Sequence, residues 1–249
     1  MDKNKKLIIV MSVVLLITVY AVTRFFGLIN KEGSENHEKY GDKQDKTAED
    51  IEGKVTIVLD AGHGGVDPGK VGVNGLLEKD INLQIVMKLK EALEKDETMG
   101  LKVVLTRDED MGYYDENDSN KKRADMNKRC EIINEESPDL VISIHQNSYH
   151  SSAVKGAQVF YYEKSEKGKI LANKIQGSLV KELAGENKGR VEKANDSYYL
   201  ILNVKCPAVI VECGFLSNES EAKLLGDGEY QDKITKAIID GIKEYLQQY

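Results

Sequence analysis

From Lys54 onward the chain alternates short β-branched runs with amphipathic helical segments, and this alternation limits the fold more than any other feature of the sequence. Val55 to Leu59 and Leu101 to Leu105 read as strands. Between them Ile81, Ile85, Leu89 and Leu93 recur at helical spacing on a segment that opens near Glu78. A helix is expected over Ser119 to Glu136, with Met126, Cys130 and Ile133 on one face, then strands over Leu140 to Ile144 and Ala157 to Tyr161. Leu171, Ile175, Leu179 and Leu183 mark a helix that ends at Gly185. Val209 to Val211 reads as a buried strand, and Ile234, Ile238, Ile242 and Leu246 line a terminal helix. This order predicts one α/β domain over residues 54–249, a twisted, mostly parallel central sheet covered by helices on both faces. Sites in such folds gather at strand ends.

The first 53 residues have a different character. Lys3, Lys5 and Lys6 precede an uncharged run from Leu7 to Thr23, seventeen residues, extended to Ile29 if Arg24 snorkels. A bilayer takes roughly 17 to 25 such residues. The flanking lysines orient the rest of the chain outside the cytoplasm. Residues 1–29 therefore read as a cytoplasmic tip and a single membrane anchor. A cleaved signal peptide is the rival, but the run exceeds a usual signal core and Val19-Tyr20-Ala21 is a weak cleavage site. Residues 30–53 are charged, glycine-containing and nearly free of apolar side chains, which makes them a disordered tether, with His37 solvated inside it.

A net charge of −7, with no concentrated basic face, argues against nucleic acid as a partner. The three cysteines, Cys130, Cys206 and Cys213, have no paired spacing, so a disulfide framework is not expected. Cys130 falls on an apolar helix face and reads as a small core residue.

Chemistry concentrates where apolar strands meet polar loops. His63 ends the run Val58-Leu59-Asp60-Ala61-Gly62 and is followed by Gly64 and Gly65, which let the backbone turn tightly. An imidazole presented this way suits a metal ligand or a turn histidine bonded to nearby backbone. His145 follows Val141-Ile142-Ser143-Ile144 in the same manner, whereas His150, further along that loop, reads as an exposed bystander. A catalytic zinc site commonly takes three His or carboxylate ligands and leaves a fourth position open. Glu78, at the start of the first long helix, is the natural third ligand, its alternative role being to favour the helix dipole. Glu212 closes the run Ala208-Val209-Ile210-Val211, where a carboxylate is costly unless a metal or a proton compensates it. Partial desolvation there suits a general base, and Cys213, its neighbour, must face the other side of the strand.

Five ordered motifs carry a resemblance. Asp60-Ala61-Gly62-His63-Gly64-Gly65, Leu77-Glu78-Lys79-Asp80-Ile81-Asn82-Leu83, Leu105-Thr106-Arg107, Ser143-Ile144-His145-Gln146-Asn147 and Pro207-Ala208-Val209-Ile210-Val211-Glu212-Cys213-Gly214-Phe215-Leu216-Ser217-Asn218 resemble those of the zinc-dependent N-acetylmuramoyl-L-alanine amidases of the Amidase_3 type. The resemblance spans roughly Lys54 to Tyr249. It implies one zinc ion held by His63, Glu78 and His145, with Glu212 as the catalytic glutamate cleaving the amide between muramic acid and L-alanine in peptidoglycan. Gln146 and Cys213 depart from the usual pattern, which bears on substrate fit.

A single catalytic domain behind a membrane segment resembles the CwlD-like subclass of sporulating bacteria. Its members cleave stem peptides so that a deacetylase can form muramic δ-lactam in the spore cortex. That resemblance implies a forespore or spore-envelope location; vegetative wall remodelling is the alternative. Two other readings compete with it. A cysteine peptidase using Cys213 and His145 leaves His63 and Glu78 without a role. A silent wall-binding module with a structural zinc leaves Glu212 without one. Some family members carry an inhibitory helix near the zinc. Here the interval from His145 to Pro207 reads as one loop, one strand, one long helix and a short connection, with no such insert, so control is expected from timing of expression, from weak zinc retention or from an extracytoplasmic accessory protein.

Overall fold

The computed structural model describes residues 54–185 and 189–248. The expected anchor, its topology, the tether and His37 lie outside the described residues. Among the described residues no helix is long and apolar enough to cross a membrane.

The strands are β1 (Val55–Ala61), β2 (Leu101–Leu105), β3 (Leu140–Asn147), β4 (Gln158–Tyr162), β5 (Lys193–Asn195) and β6 (Ala208–Phe215). They form one sheet in the order β2-β1-β3-β6-β4-β5, parallel throughout except where β4 meets β6. The helices are α1 (Glu78–Lys95), α2 (Lys121–Glu136), α3 (Glu166–Glu182), α4 (Tyr199–Asn203), α5 (Glu219–Leu225) and α6 (Gly228–Leu246).

The period of two along each strand sorts side chains onto two faces. Ile57, Leu59 and Ala61 of β1, Leu140, Ile142 and Ile144 of β3, and Val209, Val211 and Cys213 of β6 join one core with α1, α3, α5 and α6. Val58, Val141 and Ile210, from the same three strands, pack on the other face with Cys130 and Ile133 of α2 and Leu200 and Ile201 of α4. Both faces are thus covered, which a mostly parallel sheet requires.

From β1 the chain crosses through α1 to β2 on one side, then through α2 on the opposite face to β3 on β1's other side. The connection changes direction at β1, so the loops leaving the carboxyl ends of β1 and β3 diverge and open a crevice. β6 lies parallel to β3 and brings its own carboxyl end to the same edge.

Several elements differ from the sequence expectation. β1, β3 and β6 run further than their apolar cores, so His145 and Glu212 lie inside strands, where the two are register partners. Parallel pairing satisfies the backbone there whatever the side chains are. The third helix stops at Glu182 and not at Gly185. The interval from His145 to Pro207 holds two further elements, β5 and α4, too short and too polar to produce a periodic signal. The second helix begins at Lys121, where the Asn120 side chain accepts the Arg123 amide as its cap.

Candidate metal centre

The β1–β3 ladder continues to Gly62, whose amide donates to the Ile144 carbonyl at 3.1 Å, so the two strands deliver His63 and His145 side by side. Their ring centroids stand 5.0 Å apart at an interplanar angle of 77°. Glu78, the first residue of α1, reaches between them: its Oε1 lies 3.1 Å from His63 Nε2 and 3.0 Å from His145 Nδ1. Two ligands each about 2.0–2.1 Å from one tetrahedral ion would lie about 3.3 Å apart. All three candidate ligand atoms fall within 4.8 Å of one another.

Neighbouring groups aim these side chains. The Lys70 amide donates to Glu78 Oε2 at 2.7 Å and the Gln146 amide to Oε1 at 3.1 Å, so the orienting amides come from a loop and from β3 and not from the helix that carries Glu78. His63 Nδ1 donates to Asp67 Oδ2 at 2.8 Å, which directs Nε2 toward Glu78. Space is equally specified. A Cβ on Gly62 would stand 2.2 Å from His145 Cε1 and Nε2, and one on Gly69 2.5 Å from Glu78 Oε2.

His63 itself adopts φ 62°, a left-handed conformation that costs a non-glycine residue on the order of 1–2 kcal/mol. Two buried arginines hold that turn. Arg129 donates to the Ala61 carbonyl at 2.7 Å and to the His63 carbonyl at 2.6 Å. Arg107 donates to the carbonyls of Ala61 at 2.8 Å and Gly62 at 3.2 Å, and Asn82 Nδ2 also donates to Gly62 at 3.0 Å. The Arg129 charge is balanced by Asp60 at 2.8 Å and Asp125 at 2.7 Å. Asp60 further accepts from Thr106 and Ser143. Burial alone would raise the Asp60 pKa, but Arg129 and these hydroxyls bring it down to about 2.

The electrostatics of the cluster favour positive charge. Burial pulls the His63 imidazolium down, yet Asp67 and Glu78 outweigh it and hold its pKa up at about 9. Burial likewise opposes ionisation of Glu78, and the two imidazoles overcome it, keeping the carboxyl well below its ordinary range. A divalent ion would meet the same field. Donor set, spacing and orienting contacts therefore fit zinc, for which two histidines and a carboxylate are a common catalytic set.

Glu212, 7% exposed, lines the same crevice. Its Oε1 accepts from the Tyr198 hydroxyl at 3.3 Å, while Oε2 is buried with no protein partner. Burial pushes its pKa up, with Glu78 adding to the rise and His145 opposing it. Cys213 is fully buried on the opposite face of β6, and burial pushes its thiol far above the usual range, which removes the cysteine-peptidase reading. His150 is exposed and stacks on Tyr149, 4.0 Å between centroids, apart from the cluster. Sequence reasoning gave no role to Asp67, Arg129 or Tyr198. The one available signal was the Asp125–Arg129 spacing of four residues on a helix, which is common on solvated faces as well.

Comparison with known proteins agrees with this geometry. Residues 57–244 match the Amidase_3 family, described as N-acetylmuramoyl-L-alanine amidase. The germination-specific N-acetylmuramoyl-L-alanine amidase of Bacillus subtilis is 40% identical over 201 residues, covering 80% of this chain and 82% of that protein. The structure of the CwlD amidase from Clostridioides difficile, solved in complex with the GerS lipoprotein, is 40% identical with a TM-score of 0.74. That match covers 79% of this chain and 100% of the other. The catalytic domain of CwlV, an N-acetylmuramoyl-L-alanine amidase from Bacillus (Paenibacillus) polymyxa var. colistinus, is 30% identical with a TM-score of 0.66, covering 78% and 98%. The chain belongs to the Amidase_3 family and is an N-acetylmuramoyl-L-alanine amidase.

Proposed function

We propose that His63, Glu78 and His145 hold one catalytic zinc ion and that Glu212 is the general base and acid of amide hydrolysis. The observation that carries this is the convergence of three ligand atoms beside a buried carboxylate whose second oxygen has no protein partner. When bound, zinc supplies Lewis acidity to the scissile lactyl carbonyl and to the attacking water. Glu212 accepts the proton that water loses, helped by the rise in its pKa, and returns it to the departing L-alanine nitrogen. Asp67 fixes the tautomer and direction of His63, and Arg107 and Arg129 hold the strained turn on which His63 stands. A silent wall-binding module would have no use for Glu212 in this position.

In the cell, this chemistry would serve spore-cortex maturation, releasing stem peptides ahead of muramic δ-lactam formation. Similarity to a germination-specific amidase supports it. Residues 1–29 would anchor the enzyme in the membrane and residues 30–53 would tether residues 54–249 outside the cytoplasm. An extracytoplasmic accessory protein fits the same picture, supported by the complex that the CwlD amidase of Clostridioides difficile forms with GerS. Mass spectrometry of muropeptides from spores lacking the gene tests the cortex role: loss of δ-lactam with retained stem peptides is expected, and an unchanged cortex would assign the enzyme to vegetative wall. Zinc content and turnover of the purified full chain, with and without candidate lipoproteins, test the accessory role, which full activity of the chain alone would refute.

A further inference from the structure

Glu212 is held by one group that packing alone does not call for. At the end of β5, Asn195 Oδ1 accepts from the amides of Ser197 at 2.8 Å and Tyr198 at 2.9 Å and from the Ser197 hydroxyl at 3.1 Å. This turn fixes Tyr198 immediately ahead of α4. The Tyr198 ring stands edge-on to Phe160 of β4, centroids 5.4 Å apart at 82°, so its apolar body is already accounted for. Its hydroxyl extends past that contact and donates to Glu212 Oε1.

A glutamate carboxylate rotates broadly about its last torsion, and its two oxygens are chemically equivalent. Here they are made unequal. Oε1 is engaged by Tyr198, Oε2 is buried with no protein partner, and Glu212 lines the crevice that also contains His63, Glu78 and His145. We propose that Tyr198 is a positioning residue of the reaction: by holding Oε1 it turns Oε2 to the attacking water and keeps it there through both proton transfers. The hydroxyl takes no part in bond making; it removes a rotation that the carboxylate would otherwise have to lose at each turnover. This rests on the reading of Glu212 as the base.

The test compares wild type, Tyr198→Phe and Glu212→Gln as full chains, measuring kcat and KM on peptidoglycan fragments, bound zinc and thermal stability. Tyr198→Phe keeps the contact with Phe160 and removes only the hydroxyl. The expected result is a fall in kcat of about 10–100-fold, with KM within twofold, zinc content unchanged and melting temperature close to wild type. An unchanged kcat in Tyr198→Phe, with Glu212→Gln inactive, would overturn the role of Tyr198 alone. A kcat loss accompanied by lost zinc or a matching rise in KM would also overturn it, by assigning Tyr198 to packing. Wild-type turnover in Glu212→Gln would remove the base, and with it the proposal.

Discussion

Replacing Gly62 by alanine should disable the metal centre while leaving the fold in place. The added Cβ would stand 2.2 Å from Cε1 and Nε2 of His145 and 2.8 Å from Cδ2. Ordinary contact needs about 3.4 Å or more, so the imidazole has to retreat by more than about 1 Å, against a tolerance of roughly 0.2 Å in metal–ligand distance. Gly62 does not occupy the left-handed region, so the backbone itself accepts alanine. Loss of one ligand from three should lower zinc affinity by at least about 100-fold, or roughly 2.7 kcal/mol. Overpacking should cost a further 1–3 kcal/mol or so of stability. Competition with a chromogenic chelator gives the affinity, and urea unfolding of the zinc-free protein gives the stability. Excess zinc should not restore turnover, because the ring remains displaced. Wild-type zinc affinity and turnover in Gly62→Ala would refute the assignment of His145 as a ligand held against this glycine.

Three further outcomes are expected. Asp67→Asn should weaken zinc binding about 10–100-fold without unfolding the chain, measured by the same competition, since it loosens the direction of His63 and not its presence. Arg129→Met should lower unfolding free energy by about 3–5 kcal/mol in denaturant titration, because it leaves Asp60 and Asp125 buried without their partner. Asp60 has its pKa depressed from 3.8 to about 2, so its contribution is complete above about pH 4 and lost as pH falls through about 2. Urea unfolding between pH 5 and pH 2 should register about 2 kcal/mol from this group, absent in Asp60→Asn.

The residues that converge as the candidate metal site were legible because histidine and glutamate are conspicuous where apolar runs break, and glycine beside them marks a turn. Strand lengths were not, since His145, Gln146 and Asn147 break the apolar pattern although β3 and its pairing run on to Asn147. β5 and α4 span three and five residues, too few for either period to show. The arginines that brace His63 were hidden for another reason. Arg129 sits on a helix of low hydrophobicity whose charged residues resemble a solvated face, and only the three-dimensional placement of Asp60 beneath it makes its burial intelligible. Tyr198 belongs to a polar stretch whose relation to Glu212 depends on the order of strands, with β4 and β6 antiparallel, and local sequence does not encode that order. By contrast, the opposite facing of Glu212 and Cys213 followed directly from the strand period.

Under the proposed function His63, Glu78 and His145 hold metal, whereas Glu212 moves a proton. Zinc content and hydrolysis of purified peptidoglycan, measured on the same samples of wild type, His145→Ala and Glu212→Gln, address it most directly. His145→Ala should lose zinc and activity together. Glu212→Gln should retain wild-type zinc while turnover falls by about 10²–10⁴-fold, and a Glu212→Gln protein that lost its zinc, or that turned over as wild type does, would contradict the account.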